Sequence, residues 1–264
     1  MRTTKLADGT LIFCLLPTEA SVLDHHVAGY FNHGISLSSE AIVFDVGANI
    51  GVFGVRVLQN YKDAQVFAFE PIPDIYQCLK KNSEAVNNKR FHPFPVGISD
   101  QQGELVFTYY PHSPALSTGK PEQWSEKELR EAVDGSIKHP PPHLRITRLL
   151  PSFIRAVIAH WFAKRMRSNA QEFTVNLIRI SEVINTHQLE RIDLLKIDCE
   201  GAELECLLGI DPEHWPLIKQ VVVEVHDQNG LLERVKTRLH EMGLSAQVTE
   251  QEEALRETSL YNIF

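Results

Sequence analysis

The stretch Ala41-Ile42-Val43-Phe44-Asp45, running into Val46-Gly47-Ala48-Asn49-Ile50-Gly51, constrains the fold more tightly than any other part of the chain. Its apolar residues are continuous rather than alternating, so both faces of the strand they form must be buried. The glycines at 47 and 51 let the backbone turn sharply and come close to a ligand, and a helical pattern follows from Val52 to Tyr61. Two more apolar runs end on acids, Ala64 to Glu70 and Ile192 to Asp198. A fourth, Gln220 to His226, is the richest in β-branched residues, and Ser259 to Phe264 reads as one further strand. Helices are expected over Asp74–Asn82, Glu203–Gly209 and Leu231–Met242, the first opening behind Pro71 and Pro73. Strands alternating with helices give an α/β, doubly wound, Rossmann-like parallel sheet covered on both faces.

At 264 residues the chain is expected to be a single domain, 1–264, with two parts outside this rhythm. Residues 1–40 read as a hairpin around Asp8-Gly9 and a helix from about Glu19 to Asn32, covering the ligand. Residues 111–170 read as an insertion or lid, rich in proline at Pro140-Pro141-Pro142 and then helical from Ser152 to Met166. Leu149, Leu150, Phe153, Ile154, Val157, Ile158, Trp161 and Phe162 recur there at helical spacing, which predicts a core or lid helix. The run from Lys138 to Arg167 is basic, a solvated helix face by default.

The formal net charge of −8 disfavours general phosphate-backbone binding, so no nucleic-acid partner is expected. Cys14, Cys78, Cys199 and Cys206 lack metal or disulfide spacing and sit among apolar neighbours, as buried thiols do. No window reaches the roughly 18 apolar residues of a membrane span, and Met1 to Ala7 do not resemble a signal peptide. The expectation is a cytoplasmic protein with no membrane partner.

The loop itself narrows the ligand. Glu70 ends the second strand about 20 residues beyond the loop, where an acid takes the two ribose hydroxyls in dinucleotide folds. Yet Ala48 and Asn49 stand where a central glycine would let a pyrophosphate lie against the backbone. A nicotinamide enzyme is thereby disfavoured. S-adenosylmethionine carries a ribose and no pyrophosphate, and it suits a loop with Asp45 at its mouth.

Three blocks carry a family resemblance. Val43 to Phe53 followed by Phe69-Glu70-Pro71, then Ile192-Asp193-Leu194-Leu195-Lys196-Ile197-Asp198-Cys199-Glu200-Gly201-Ala202-Glu203, then Val223-Glu224-Val225-His226-Asp227, resemble the FkbM family of methyltransferases. Leu260-Tyr261-Asn262-Ile263 is similar as well, and the insertion lies outside the resemblance. It implies a class I methyltransferase fold with a seven-stranded sheet, the last strand antiparallel, and S-adenosylmethionine-dependent methyl transfer to a hydroxyl. Tyr30-Phe31-Asn32-His33-Gly34-Ile35 resembles versions associated with polyketide and nonribosomal peptide assembly.

Ligands of parallel sheets bind beyond the carboxyl ends of the strands, where Asp45, Glu70, Asp198, Glu200, Glu224 and His226 converge. His226 is the candidate general base, because its ordinary pKa lies near neutrality. Glu224, two residues earlier on the same strand face, would orient it, and Asp198 completes the catalytic set. The cofactor set is Asp45, Gly47, Ala48, Asn49, Gly51, Glu70, Pro71 and Glu200. Ser99 and Asp100 join it at the adenine end, with Tyr30 and His33 as a cover. Lys196 is either a paired buried lysine or a site residue. Ser117 and Thr118 are candidates for the acceptor pocket. Nothing in the sequence demands a metal.

Three function classes follow. The first is O-methylation of a natural-product hydroxyl, on a small molecule or a carrier-protein-bound acyl substrate, with a sugar hydroxyl on a glycan as the variant. Such a chain would be a free enzyme or a domain of a larger synthase, and the apolar, basic insertion would suit an acyl group or an acidic carrier. The second is a nicotinamide oxidoreductase, and the third a non-catalytic binding module.

Overall fold

The computed structural model describes residues 1–31, 33–87, 89–123, 125–138, 147, 149–244, 247–251 and 260–264. The expected features at Asn32, His139, Pro140-Pro141-Pro142, His143, Arg145, Arg148 and Ser259 lie outside these. The N-terminal hairpin pairs β1 (Arg2–Lys5) with β2 (Leu11–Cys14) around Asp8-Gly9, and α1 (Pro17–Val27) follows with Pro17 in its first turn. Then come β3 (Ile42–Val46), α2 (Val52–Asn60), β4 (Gln65–Phe69), α3 (Pro73–Asn87) and β5 (Phe91–Phe94). A small strand β6 (Gly97–Ile98) leads to β7 (Gly103–Tyr109), α4 (Glu126–Lys138), α5 (Ser152–Met166) and β8 (Gln171–Ile178). The chain closes with α6 (Ile180–His187), β9 (Leu194–Ile197), α7 (Glu203–Leu208), β10 (Val221–His226), α8 (Leu231–Glu241), β11 (Thr249–Glu250) and β12 (Leu260–Ile263).

The main sheet has seven strands in the order β11-β12-β10-β9-β3-β4-β5. β5, β4, β3, β9 and β10 are parallel, while β12 runs antiparallel to both its neighbours. Period-two alternation sends consecutive side chains to opposite layers. Val43, Val66, Leu194 and Val222 join one apolar cluster with Ile12, Val55 and Leu79. Phe44, Phe67, Leu195 and Val223 join the other with Ile180, Leu207 and Val235. Two-sided burial is why these strands read as unbroken apolar runs. The order reverses beside β3, which places a crevice beyond the carboxyl ends of β3 and β9.

A second sheet, β6-β8-β7, was not legible in the sequence. β7 is largely exposed over its first four residues, so its pattern lacks a buried period. Tyr109 faces Gln171 across the β7–β8 pair, so the insertion leaves and returns at one point. Within it the apolar stripe of α5 departs from expectation. Its buried residues are Ala159 and Ala163, and the small core between α4 and α5 centres on Leu129 and Ala163. Leu149, Phe153, Val157, Trp161 and Phe162 are exposed, while Leu150, Ile154 and Ile158 of the same stripe are half-buried. Small side chains on the packed side let the two helices come close, and the large ones have no room there.

Among the described residues, no helix is long and apolar enough to cross a membrane.

Candidate active site

The turn after β3 is built from backbone geometry that few residues allow. Gly47 has φ +72°, and a Cβ there would lie 1.7 Å from the Asp198 carbonyl oxygen. The two loops therefore touch backbone to backbone. The Gly47 and Ala48 amides both donate to the Phe69 carbonyl, holding the turn against the end of β4. Asn49 is left-handed at φ +50°, which an Asn side chain tolerates by bonding locally, and its Oδ1 accepts the Ile50 amide at 2.7 Å. Gly51, also left-handed, starts α2 over Leu79 and Phe91.

Glu70 closes this half of the site. Its two oxygens accept the amides of Asn49 (3.1 Å) and Ile72 (2.8 Å) across Pro71, fixing the carboxylate beside the loop. Burial pushes its pKa up to about 7, against the pull of those amides. Ordered and still able to accept on its remaining lone pairs, it is placed for a vicinal diol.

Beside the loop lies a buried charge cluster. Lys196 Nζ is 3.0 Å from Asp45 Oδ1 and 3.6 Å from Asp198 Oδ2, and donates to the Gly47 carbonyl at 3.0 Å. Burial opposes its charge, but Asp45 and Asp198 hold its pKa well above the ordinary lysine value. Of the two sequence readings of Lys196, the structure shows the paired buried lysine, which also holds the loop through the Gly47 carbonyl. Asp45, fully buried, has a raised pKa because burial outweighs Lys196. The Tyr30 hydroxyl donates to Asp198 Oδ2 at 2.9 Å and lies 3.3 Å from Glu224 Oε2. Burial and then these two carboxylates keep the phenol protonated.

A further histidine, which the sequence reading does not include, reaches this cluster. His26 Nε2 is 2.6 Å from Glu224 Oε2 and 2.9 Å from the Tyr30 hydroxyl. The available signal was spacing, since His26 and Tyr30 are four apart on one helical face. His226, by contrast, is 3% exposed and turns Nε2 toward Glu200 Oε2 at 3.1 Å. Burial lowers its proton affinity, yet Glu200, then Glu203 and Glu224, raise its pKa to about 9. Glu203, the other missed residue, is fully buried with Oε1 on the Gly201 amide. Burial raises it to about 7, opposed by His226.

Asp198, Glu224 and His26 also present three ligand atoms within 4.8 Å of one another, a spacing able to hold a cation. Burial and then the charge of Asp198 raise the pKa of Glu224. The cluster holds more acid than Lys196 and the histidines neutralise, and a cationic ligand would relieve it.

Other expected residues fall elsewhere. His33 pairs with Glu250 at 2.6 Å and packs on Phe264, at the antiparallel edge of the sheet. It lines a groove of about 540 Å³ with Lys219 and Val221, at the opposite end of β10 from His226. Ser99 has its amide on the Ile178 carbonyl and its carbonyl packed against Gly209, while its hydroxyl donates to Asp100. Neither Ser99 nor Asp100 contacts Glu70 in the described hydrogen-bond network. Ser117 accepts the Tyr110 amide. Thr118 is buried and donates to the Glu200 carbonyl at 2.7 Å, and Lys120 beside it reaches the Gly201 carbonyl and Glu205. These residues clamp the insertion onto the Glu200 turn, and Glu200 itself is left-handed at φ +54°.

Comparison with known proteins agrees with this geometry. Residues 45–245 match the family model described as the methyltransferase FkbM domain. The chain is 33% identical over 219 residues to methyltransferase SdnD of Sordaria araneosa, covering 79% of this chain and 75% of that one. It is 30% identical over 267 residues to the 31-O-demethyl-FK506 methyltransferase FkbM of Streptomyces tacrolimicus, covering 100% and 96%. Among solved structures, methyltransferase FkbM of Methylobacillus flagellatus shares the fold, with TM-score 0.52 and 14% identity over 90% of this chain. The match spans about half, 48%, of that structure's chain. With the family model covering the loop, the acid cluster and the β10 strand together, the chain belongs to the FkbM family of methyltransferases.

Proposed function

We propose that the chain transfers a methyl group from S-adenosylmethionine to a hydroxyl of a natural-product intermediate, a polyketide or nonribosomal peptide, free or carrier-bound. The observation that carries this reading is the excess of buried carboxylate around Tyr30 and Lys196, adjoining a glycine turn and a diol-ready Glu70. S-adenosylmethionine, when bound, supplies a methyl already activated on a sulfonium, and its ammonium and sulfonium charges suit that acid-rich wall. Glu70 would take the ribose hydroxyls, and Asp45, Gly47, Ala48 and Asn49 line the turn beside them. Similarity to a methyltransferase whose name specifies an O-methyl position supports oxygen as the target.

The acceptor hydroxyl must lose a proton as the new bond forms. The sequence points to His226, which is 3% exposed with Nε2 turned to Glu200 Oε2. His26 has 17% of its side chain exposed and holds Nε2 2.6 Å from Glu224 Oε2, so an acceptor can reach its ring and Glu224 can stabilise the imidazolium that forms. A carboxylate faces each histidine, so electrostatics does not separate them, and we assign the base to His26 on its accessibility.

Calorimetry with S-adenosylhomocysteine and with NAD tests the cofactor, and only the former should bind. His26→Gln should lower kcat about 100-fold, the range of general-base catalysis, with S-adenosylhomocysteine affinity unchanged within threefold. If His226→Gln abolishes the pH dependence of kcat and His26→Gln leaves it intact, the assignment is wrong.

A further inference from the structure

The outer face of α5 has no use in the site just described. Phe153, Val157 and Trp161, at i, i+4 and i+8, share one side of the helix and are 69%, 67% and 56% exposed. Leu149, 82% exposed, precedes the helix. From Ser152 to Arg167 the sequence holds four basic residues and no acid, although the whole chain carries a net charge of −8. Arg155 is occupied by Asp134 at 2.9 Å. Lys164, Arg165 and Arg167 are exposed at the end of the helix with no acidic partner among the described residues, and the Arg165 guanidinium lies 5.7 Å from the Trp161 ring.

The exposed apolar and aromatic side chains end in three exposed cations, a pairing that suits an anionic membrane interface. The acids beside them on α4 are engaged, Glu126 with His160 at 3.2 Å and Asp134 with Arg155 at 2.9 Å. A helix in such an interface spans nothing, so the lack of a crossing segment does not bear on it. The chain's acidity matters little either, because charges beyond about 10 Å are screened and the local patch decides. We propose that the exposed face of α5 docks on the surface of an anionic lipid bilayer, Phe153, Val157 and Trp161 entering the headgroup boundary and Lys164, Arg165 and Arg167 meeting lipid phosphates.

The insertion that carries α5 is tied to the active site: α4, packed on α5, carries Glu128, which accepts from Gln228 just past the end of β10, and the Thr118–Lys120 clamp holds the same insertion on the Glu200 turn.

The test is co-sedimentation of the full chain with vesicles, which needs no turnover and so fails or succeeds independently of the proposed activity. Vesicles of phosphatidylcholine with phosphatidylglycerol should bind the protein at low salt, and phosphatidylcholine alone much more weakly. Phe153→Ser with Trp161→Ser should weaken partitioning ~30-fold, since both rings leave water on docking. Lys164→Gln, Arg165→Gln and Arg167→Gln together should cost about fivefold per charge on anionic vesicles and little on neutral ones. All five positions are exposed, so thermal melts should match wild type and certify folding. Absence of binding to anionic vesicles, or binding that survives the Phe153 and Trp161 changes, overturns the proposal. So does binding of an isolated acidic carrier domain, lost in the same double variant, with no vesicle binding by wild type; the face would then dock a protein.

Discussion

Replacing Lys196 with Met removes the one lysine from a wall of acids and leaves the shape of the strand nearly intact. At 3.0 Å from Asp45 and 3.6 Å from Asp198, the ammonium gains about 5 kcal/mol from each at an effective dielectric of about 20, offset by its own burial. Without it, fully buried Asp45 cannot remain ionised at that cost and instead takes a proton. Holding a carboxyl with an unfolded pKa of 3.8 protonated at pH 7 costs about 1.4 kcal/mol for each of some three pH units, or about 4 kcal/mol. That agrees with the 3–5 kcal/mol typical of a broken buried pair. The sign follows from linkage. A folded pKa raised above the unfolded one means stability is lost as pH rises, so the penalty should shrink to about 2 kcal/mol at pH 5. For a chain of this length, the loss at pH 7 corresponds to a Tm drop of about 7 °C. Urea denaturation at both pH values measures it, and Asp45→Asn in the Lys196→Met background should restore most of the loss. A penalty under about 1 kcal/mol, one independent of pH, or no rescue by Asp45→Asn would refute the reasoning.

Other changes probe the site and the fold separately. Gly47→Ala forces a Cβ into the Asp198 carbonyl, so chemical denaturation should show a loss of at least about 3 kcal/mol. Gly230→Ala, also left-handed but with nothing within 4 Å, should cost only about 1–2 kcal/mol of backbone strain. Glu70→Gln should weaken S-adenosylhomocysteine about tenfold by calorimetry. The wild-type affinity should fall below the Glu70 pKa of about 7, where the carboxylate protonates, and the variant's should stay flat. Glu19, whose pKa burial raises to about 7 against the Ala115 amide it accepts, makes the fold lose stability as pH rises from 4.5 to 7. Glu19→Gln should match wild type near pH 4.5 and exceed it by about 1–3 kcal/mol at pH 8, read from urea midpoints.

The residues the sequence exposed best are those whose role is local. Asp45, Gly47, Asn49 and Glu70 occupy one turn and the end of the adjoining strand, and short-range patterns of apolar runs, glycines and terminal acids encode such a turn. The helix at Ser152–Met166 was legible to the residue for the same reason. His26 was not, because it sits on a helix with no motif, and only the packing of α1 against α2 and the N-terminal hairpin leaves it 2.6 Å from Glu224, a residue 198 positions away. His33 shows the converse: three residues beyond Tyr30, it ends at the far edge of the sheet beside Phe264.

By itself, then, the sequence determined the sheet, its two-sided burial, the glycine turn and the family, because each is written in periodicity or in contiguous residues. Tertiary structure alone decided which carboxylate faces each histidine and which way α5 turns its apolar residues. It also placed Thr118 on the Glu200 carbonyl and Ser117 on the Tyr110 amide. A proton's affinity depends on the charges surrounding it in space, and Glu200 and Glu203 act on His226 only across a folded turn. The direction of an apolar stripe likewise depends on what packs behind it. Behind α5 there is room for Ala159 and Ala163 and not for Phe153 or Trp161.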